Sequence, residues 1–193
     1  MVTGKESSAD DEELRAVMAA YQRGELRAFD DLYRQLAAPL RGYLGSFVRD
    51  RSRTADLVQE TFLQLHRSRR AYRPDLPVRP WVFAIARNVA LMDRRTRARR
   101  PQGDGELPEL PVPAAAAALG DRQALSSALH SLDDERREAV LLHHVWGFSF
   151  AEVAQLLGVT IAAAKLRSSR GMADLRGALT TGPSPPITNR GRQ

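Results

Sequence analysis

The sequence has no cysteine, which removes at once a disulfide framework, a thiolate zinc site and a cysteine nucleophile. It has no apolar run long enough to span a bilayer, so direct membrane insertion is not expected. The N-terminus, MVTGKESSADDEEL, lacks the apolar stretch of a signal peptide, and its acidic run argues against a transit peptide. A cytoplasmic location is the resulting expectation. Sustained period-two alternation is missing, so strands leave no signal. There is no Gly-rich phosphate loop, serine elbow or pair of carboxylates at a catalytic spacing. Histidine occurs at positions His66, His130, His143 and His144. Neighbouring helical positions point about 100° apart, so His143 and His144 do not readily share one ion, and no carboxylate spacing completes a site. The expectation is a protein with no metal, no cofactor and no catalysis of its own, whose chemistry comes from a partner.

What the sequence does have is positive charge in one place. The net charge is +6, which favours a polyanionic partner because arginines set against phosphates release condensed counterions. Arg87, Arg94, Arg95, Arg97, Arg99 and Arg100 share a segment with a single acid, Asp93, while Asp10 to Glu13 make the N-terminus acidic. Such an arginine run fits a phosphate track; a solubilising face, or favourable placement at a helix C-terminus, fits it as well.

The periodicity predicts an all-α protein of two small helical domains joined by a flexible linker. Residues 1–10 are expected to be disordered. A first unit spans 11–100, with helices over Glu12–Arg23, Leu26–Arg49, Ala55–Arg70 and Pro80–Arg99, punctuated by Gly24 and a Thr54 cap. Pro39 and Gly42 are expected to bend or interrupt the second helix, and Pro74 and Pro77 keep the loop AYRPDLPVR out of helix. Residues 101–121, containing PQGDGELPELPVPAAAAALG, lack large apolar side chains to offset ordering entropy and form an extended acidic linker. A second unit spans 122–179, and the proline-rich tail 180–193 is expected to be disordered.

Within the first unit Val58, Phe62 and Leu65 fall on one helical stripe and are core candidates. Asp56, Gln59, Glu60 and Leu63 occupy another, a surface that suits a basic partner helix or is simply solvated. Trp81 and Phe83 are assigned to packing, with Trp81 bracing the adjacent loop. In the second unit, Leu125, Leu129, Leu132, Val140, Leu141, Val145, Val153, Leu156, Leu157 and Leu175 supply a small core, and Asp133 is placed to cap the helix after it. FAEVAQLLGVTIAAAKLRSSR is two helices around a tight turn. Ser149 with Glu152 forms a capping box, Gly158 ends the first helix in the left-handed conformation, and Thr160 caps the second. This is a helix-turn-helix, a unit that reads DNA with its second helix. Lys165, Leu166, Ser169 and Arg170 lie on the major-groove side; Arg167 is a phosphate contact or a brace.

Four pieces in order, DLVQETF, the Trp81 to Asn88 pattern WxxxIARN, LDDERREAVLL and the terminal helix-turn-helix, resemble the extracytoplasmic-function (ECF) group of bacterial sigma-70 factors, whose second and fourth conserved regions they match. The resemblance implies an alternative sigma factor that binds core RNA polymerase and directs promoter-specific initiation. By the same resemblance Asp56, Gln59, Glu60 and Leu63 dock on the coiled coil of the largest polymerase subunit, and the flap is a further polymerase contact. The loop from Tyr72 to Arg79 captures an extruded non-template base of the minus 10 element, with Tyr72 and Arg73 touching it and Asn88 bonding a base edge. Arg87, Arg94, Arg95 and Arg97 track the melted strand. Lys165, Leu166, Arg167, Ser169 and Arg170 meet the minus 35 element. The acidic linker is either a passive tether, the usual meaning of such composition, or, by the resemblance, a segment that threads the polymerase channel; the resemblance also implies an anti-sigma factor that restrains the whole. This chain departs from the family at Ile161, Ala162, Ala163 and Ala164, where proline, glycine, threonine and valine are usual. A dimeric helix-turn-helix regulator that does not replace sigma is the alternative; a recombinase or nuclease targeted by the motif would need a nucleophile or metal cluster that is not legible.

Overall fold

The computed structural model describes residues 6–48, 50–97 and 119–180, and all regular structure among them is helical. The first unit consists of α1 (Glu6–Gln22), α2 (Leu26–Gly45), α3 (Arg51–Ser68), a short 3₁₀ turn (Arg69–Ala71) and α4 (Val78–Arg97). The second consists of α5 (Leu119–Ser131), α6 (Asp134–Val140), a π-helical turn (Leu141–Val145), α7 (Phe150–Leu157) and α8 (Ile161–Thr180). Helix α1 therefore begins inside the segment expected to be disordered, and α5 inside the expected linker. The remainder of those two expected segments, residues 1–5 and 101–118, and the tail beyond Thr180 lie outside the described residues, as do Arg99 and Arg100.

Local chemistry explains three differences from the expected helices. Helix α3 starts four residues early because Asp50, not Thr54, is its cap: the Asp50 carboxylate accepts from the Ser52 and Arg53 amides at 2.8 and 3.2 Å, while the Thr54 hydroxyl donates back to the Asp50 carbonyl. Helix α2 runs unbroken through Pro39. An interior proline costs about 3 kcal/mol, but Leu32, Leu36, Leu40 and Leu44 on its inner face are all essentially inaccessible, and burying four leucines contributes on the order of 6–12 kcal/mol. Packing wins. Helix α4 starts at Val78, which keeps Pro80 within the first turn, where its missing N–H has no intrahelical acceptor to lose.

In the second unit the expected caps are formed. Asp133 accepts from the Arg136 amide at 2.8 Å, Ser149 and Glu152 cap each other reciprocally, Gly158 has φ +68°, and the Thr160 hydroxyl accepts from the Ala163 amide at 3.1 Å. Between α6 and α7 the Trp146 amide reaches the Leu141 carbonyl at 3.0 Å, five residues back, a single π turn. Leu141 and Leu142, both fully buried, point about 100° apart as helical neighbours do and face different clusters. Leu141 joins Leu129, Leu132, Val140 and Leu175 in the core of the second unit. Leu142 joins the core that begins in the first unit.

That second placement corrects the expected core of 122–179. Val153, Leu156 and Leu157, together with Ala139, Phe148 and Ala164, belong to one apolar cluster with Leu32, Tyr43, Phe62 and Phe83. The Phe83 ring meets Phe148 edge-on at 5.0 Å and lies 5.8 Å from Trp146. The two units are thus docked through a continuous apolar seam, where linker composition alone suggested two independent bodies.

Helix α8 is held close to α6 by Gly171, where an added Cβ would lie 2.7 Å from Val140 Cγ2 and 3.2 Å from the Arg136 carbonyl. It meets the π turn through Ser168, whose hydroxyl is 3.2 Å from His144 Nε2. Gly171→Ala should lower unfolding free energy by about 1–3 kcal/mol, whereas Gly177→Ala on the same helix, whose Cβ meets nothing within 4 Å, should leave it unchanged or raise it by up to about 1 kcal/mol; urea titration of both variants checks this. Burial, with His143 and Arg176 nearby, holds the His144 imidazole below its ordinary value of 6.5. The unfolded chain then binds a proton first as pH falls, so stability should be level above pH 6.5, drop on acidification through it, and level again below the folded value. His144→Gln should remove that component from a melting-temperature series across pH.

Candidate polymerase and nucleic-acid interfaces

Helix α3 sorts its residues as its periodicity demands. Leu57, Val58, Thr61, Phe62 and Leu65 face inward, while Asp56, Gln59 and Leu63 are exposed and Glu60 is half-buried. Leu63 is 43% exposed, a large apolar side chain among polar ones. Between α3 and α4 runs a groove of roughly 690 Å³ whose lining includes Asp56, Glu60, Gln64, Ile85, Asn88 and Met92. Asp56 and Glu60, expected to meet polymerase, thus share one groove with Asn88, expected to meet a base. Met92, 66% exposed, lines the same groove and is not singled out by the sequence, where it only ends the apolar run Val89 to Met92.

Asp93, the one acid in the arginine segment, is turned inward and buried. Arg53 Nε donates to it at 2.9 Å, and the same guanidinium stands 3.6 Å from Asp56. The hydrogen bond to Asp93 raises the Arg53 pKa above its usual value. With its acid neutralised internally, the outer side of the C-terminal half of α4 carries net positive charge.

The 72–79 loop corrects one expected contact. Tyr72 is buried, its hydroxyl donates to the Leu76 carbonyl and its ring lies 5.0 Å from Trp81. Burial pushes its phenol pKa up. A side chain so enclosed does not offer a stacking face to an extruded base, so Tyr72 holds the loop rather than reading it. Arg73 is exposed beside Asp75 at 2.7 Å. The loop is also tied to α1, because Gln22 Nε2 donates to the carbonyls of Arg69 and Tyr72 at 2.7 and 2.9 Å. Sequence reading missed Gln22, since a glutamine at a helix end has no distinguishing pattern.

The arginine track divides. Arg95 is exposed and Arg97 half-buried. Arg94 pairs with Asp134, and Arg87 Nε donates to Glu138 at 2.9 Å. Both acids belong to α6 of the other unit, so these two arginines are engaged across the seam, Arg87 largely buried and Arg94 paired at the rim with its side chain still 64% exposed. Glu138 is itself buried and also accepts from the Tyr43 hydroxyl at 2.6 Å. Burial first, and the Glu138 charge second, push the Tyr43 phenol pKa well above its ordinary value.

On α8, Ala164, Ser168, Gly171 and Leu175 face inward, which leaves Lys165, Leu166, Ser169 and Arg170 exposed together. Arg167 is half-buried and its Nη2 lies 2.8 Å from Glu135; of the two roles open to it, the structure selects the brace, and it leaves the set of free contacts. Arg136 ties α6 to α8 through Asp174 at 2.7 Å. Lys165 Nζ stands 6.0 Å above the Phe150 ring, whose other neighbour is His143, stacked at 3.8 Å. Among the described residues no group of three or more His, Asp or Glu side chains lies close enough to hold a metal ion, and no helix is long and apolar enough to cross a membrane.

Comparison with known proteins accounts for both units. Residues 32–100 match the family profile of Sigma-70 region 2, and residues 122–175 that of Sigma-70 region 4. RNA polymerase sigma factor CarQ of Myxococcus xanthus is 36% identical over 82% of this chain and 93% of its own length. ECF RNA polymerase sigma factor SigM of Mycobacterium tuberculosis is 31% identical over 86% of each chain. Among solved structures, CnrH in complex with the cytosolic domain of CnrY superposes with a TM-score of 0.67 at 27% identity, covering 87% of this chain and 97% of the other. The sigma factor RpoE in complex with the anti-sigma factor NepR from Bartonella quintana superposes with a TM-score of 0.70 at 26% identity, covering 81% and 99%. With two regions matched in order, and relatives above 30% identity across four-fifths of its length, this chain belongs to the extracytoplasmic-function group of the sigma-70 family of RNA polymerase sigma factors.

Proposed function

We propose that the chain acts as an alternative sigma factor in which the first unit docks on core RNA polymerase and meets the minus 10 element while α8 reads the minus 35 element. The observation that carries this reading is the exposed edge of α8. Lys165, Leu166, Ser169 and Arg170 stand outward together on a capped helix braced from behind, the geometry a major groove requires. The docking face is Asp56, Gln59, Glu60 and Leu63, acidic and amide groups around an exposed leucine, suited to a basic helix of the polymerase coiled coil. The strand-facing set is Arg73, Asn88, Arg95 and Arg97, joined by Arg87 and Arg94 when α6 releases them. The chain performs no bond chemistry; the polymerase supplies it, in the cytoplasm. Because RpoE is seen with an anti-sigma factor, a partner that covers the same faces is the proposed restraint on this chain as well.

Reconstituted transcription with core polymerase on a promoter library tests the assignment. Wild-type chain should direct sequence-selective starts, and Asp56→Arg combined with Gln59→Ala should abolish them by weakening core binding; unchanged starts would remove α3 as the docking face. On a promoter so identified, Arg170→Ala should relax discrimination at one minus 35 position by about tenfold, within the 1–3 kcal/mol of a base contact. Arg167→Ala should instead lower stability with discrimination retained, measured by competition binding of the holoenzyme against single-base variants.

A further inference from the structure

Two of the arginines expected on the melted strand are held by a different part of the same chain. Glu138 lies on α6, 51 residues from Arg87 and 95 from Tyr43 in sequence, yet it accepts from both at 2.9 and 2.6 Å. It is buried, as is Tyr43, and Arg87 is only 22% exposed in its side chain. A carboxylate taken out of water is tolerated only with donors on its oxygens, and here both come from the other unit. The bond is therefore made only while the units are docked.

We propose that Glu138 is an intramolecular latch, which closes the second unit on the first through Tyr43 and Arg87 and withholds Arg87 from DNA until the units separate. The proposal rests on the reading of Arg87 as a strand contact. Asp134 adds a second clasp by engaging Arg94 at the rim. The two acids of α6 stand where DNA phosphates would otherwise stand, against guanidinium groups that bind either anion. Phe83, Trp146 and Phe148 align the seam around the latch. Trp146 Nε1 is buried there with no acceptor among the described residues, so closure leaves one donor unsatisfied and the closed state is not bound as tightly as it might be built. Opening exposes Arg87 and that indole together and frees Arg94, already solvent-exposed, from Asp134. A sigma factor latched in this way binds single-stranded DNA weakly when free, by the fraction of molecules that are open.

The chain has no cysteine, so spin labels can be placed at will. Full-length protein carrying Ala55→Cys on α3 and Ala173→Cys on α8, both exposed, gives the separation of the units by pulsed electron resonance. The wild-type background should show one narrow distance, Glu138→Ala a longer and broader distribution, and Tyr43→Phe, which keeps the packed ring, a smaller change in the same direction. Binding to a fluorescent mixed-sequence single-stranded oligonucleotide should tighten about tenfold in Glu138→Ala, as the open fraction rises, and the gain should vanish when Arg87→Ala is added. Distances that stay the same in both latch variants overturn the latch. Opening without the gain, or with a gain that survives Arg87→Ala, overturns the withholding of Arg87 and with it the assignment of that residue to the strand; the readout that moves tells the two failures apart.

Discussion

A carboxylate with almost no access to water needs its charge answered from within the protein, and Glu138 is answered by a tyrosine and an arginine that belong to a different helical unit. Around that requirement the apolar seam is organised: Phe83 against Phe148 and Trp146, Leu142 facing the seam while its neighbour Leu141 faces the core of the second unit, and Val153, Leu156 and Leu157 committed to the shared cluster. Removing one member of such a set leaves a buried charge without compensation, which is why ionic contacts of this kind specify an arrangement more than they add to stability. The same contact ties structure to function, because the guanidinium that satisfies Glu138 sits in the basic segment of α4.

The second organising constraint is the close approach of α8 to α6. Gly171 permits it, Arg167 with Glu135 and Arg136 with Asp174 fasten it, and Ser168 meets the π turn. A recognition helix must hold its outward side chains within a fraction of an ångström of base edges, and rigid backing provides this. The departures at Ile161 to Ala164 leave the start of α8 intact, because Thr160 supplies the capping oxygen.

How much of this was legible in the sequence depends on the range of the interaction. The Ser149 box, the Asp133 cap, the Gly158 stop and the inward stripe of α3 are set by residues a few positions apart, and periodicity reveals them. Thr54 was mistaken for a cap because Asp50, one turn earlier, binds two amides and Thr54 binds none. Pro39 reads in sequence as a bend or interruption because its local penalty is visible there while the burial that outweighs it is not. The resemblance, not any local pattern, assigns Tyr72 to the extruded base, and the enclosure of its ring by Trp81 and of its hydroxyl by the Leu76 carbonyl leaves no trace in the sequence. The seam lay beyond sequence reasoning altogether: Glu138 ahead of the apolar run Ala139 to Leu142 was its one trace, and nothing local names Tyr43 or Arg87 as partners.

The docked arrangement is tested most directly by a double-mutant cycle on the unfolding free energy of the whole chain, with Tyr43→Phe, Glu138→Gln and the pair. If the two units share this contact in solution, the changes should fail to add by about 1–3 kcal/mol. Additivity within about 0.5 kcal/mol would mean that the hydroxyl and the carboxylate do not meet, and would contradict the shared seam.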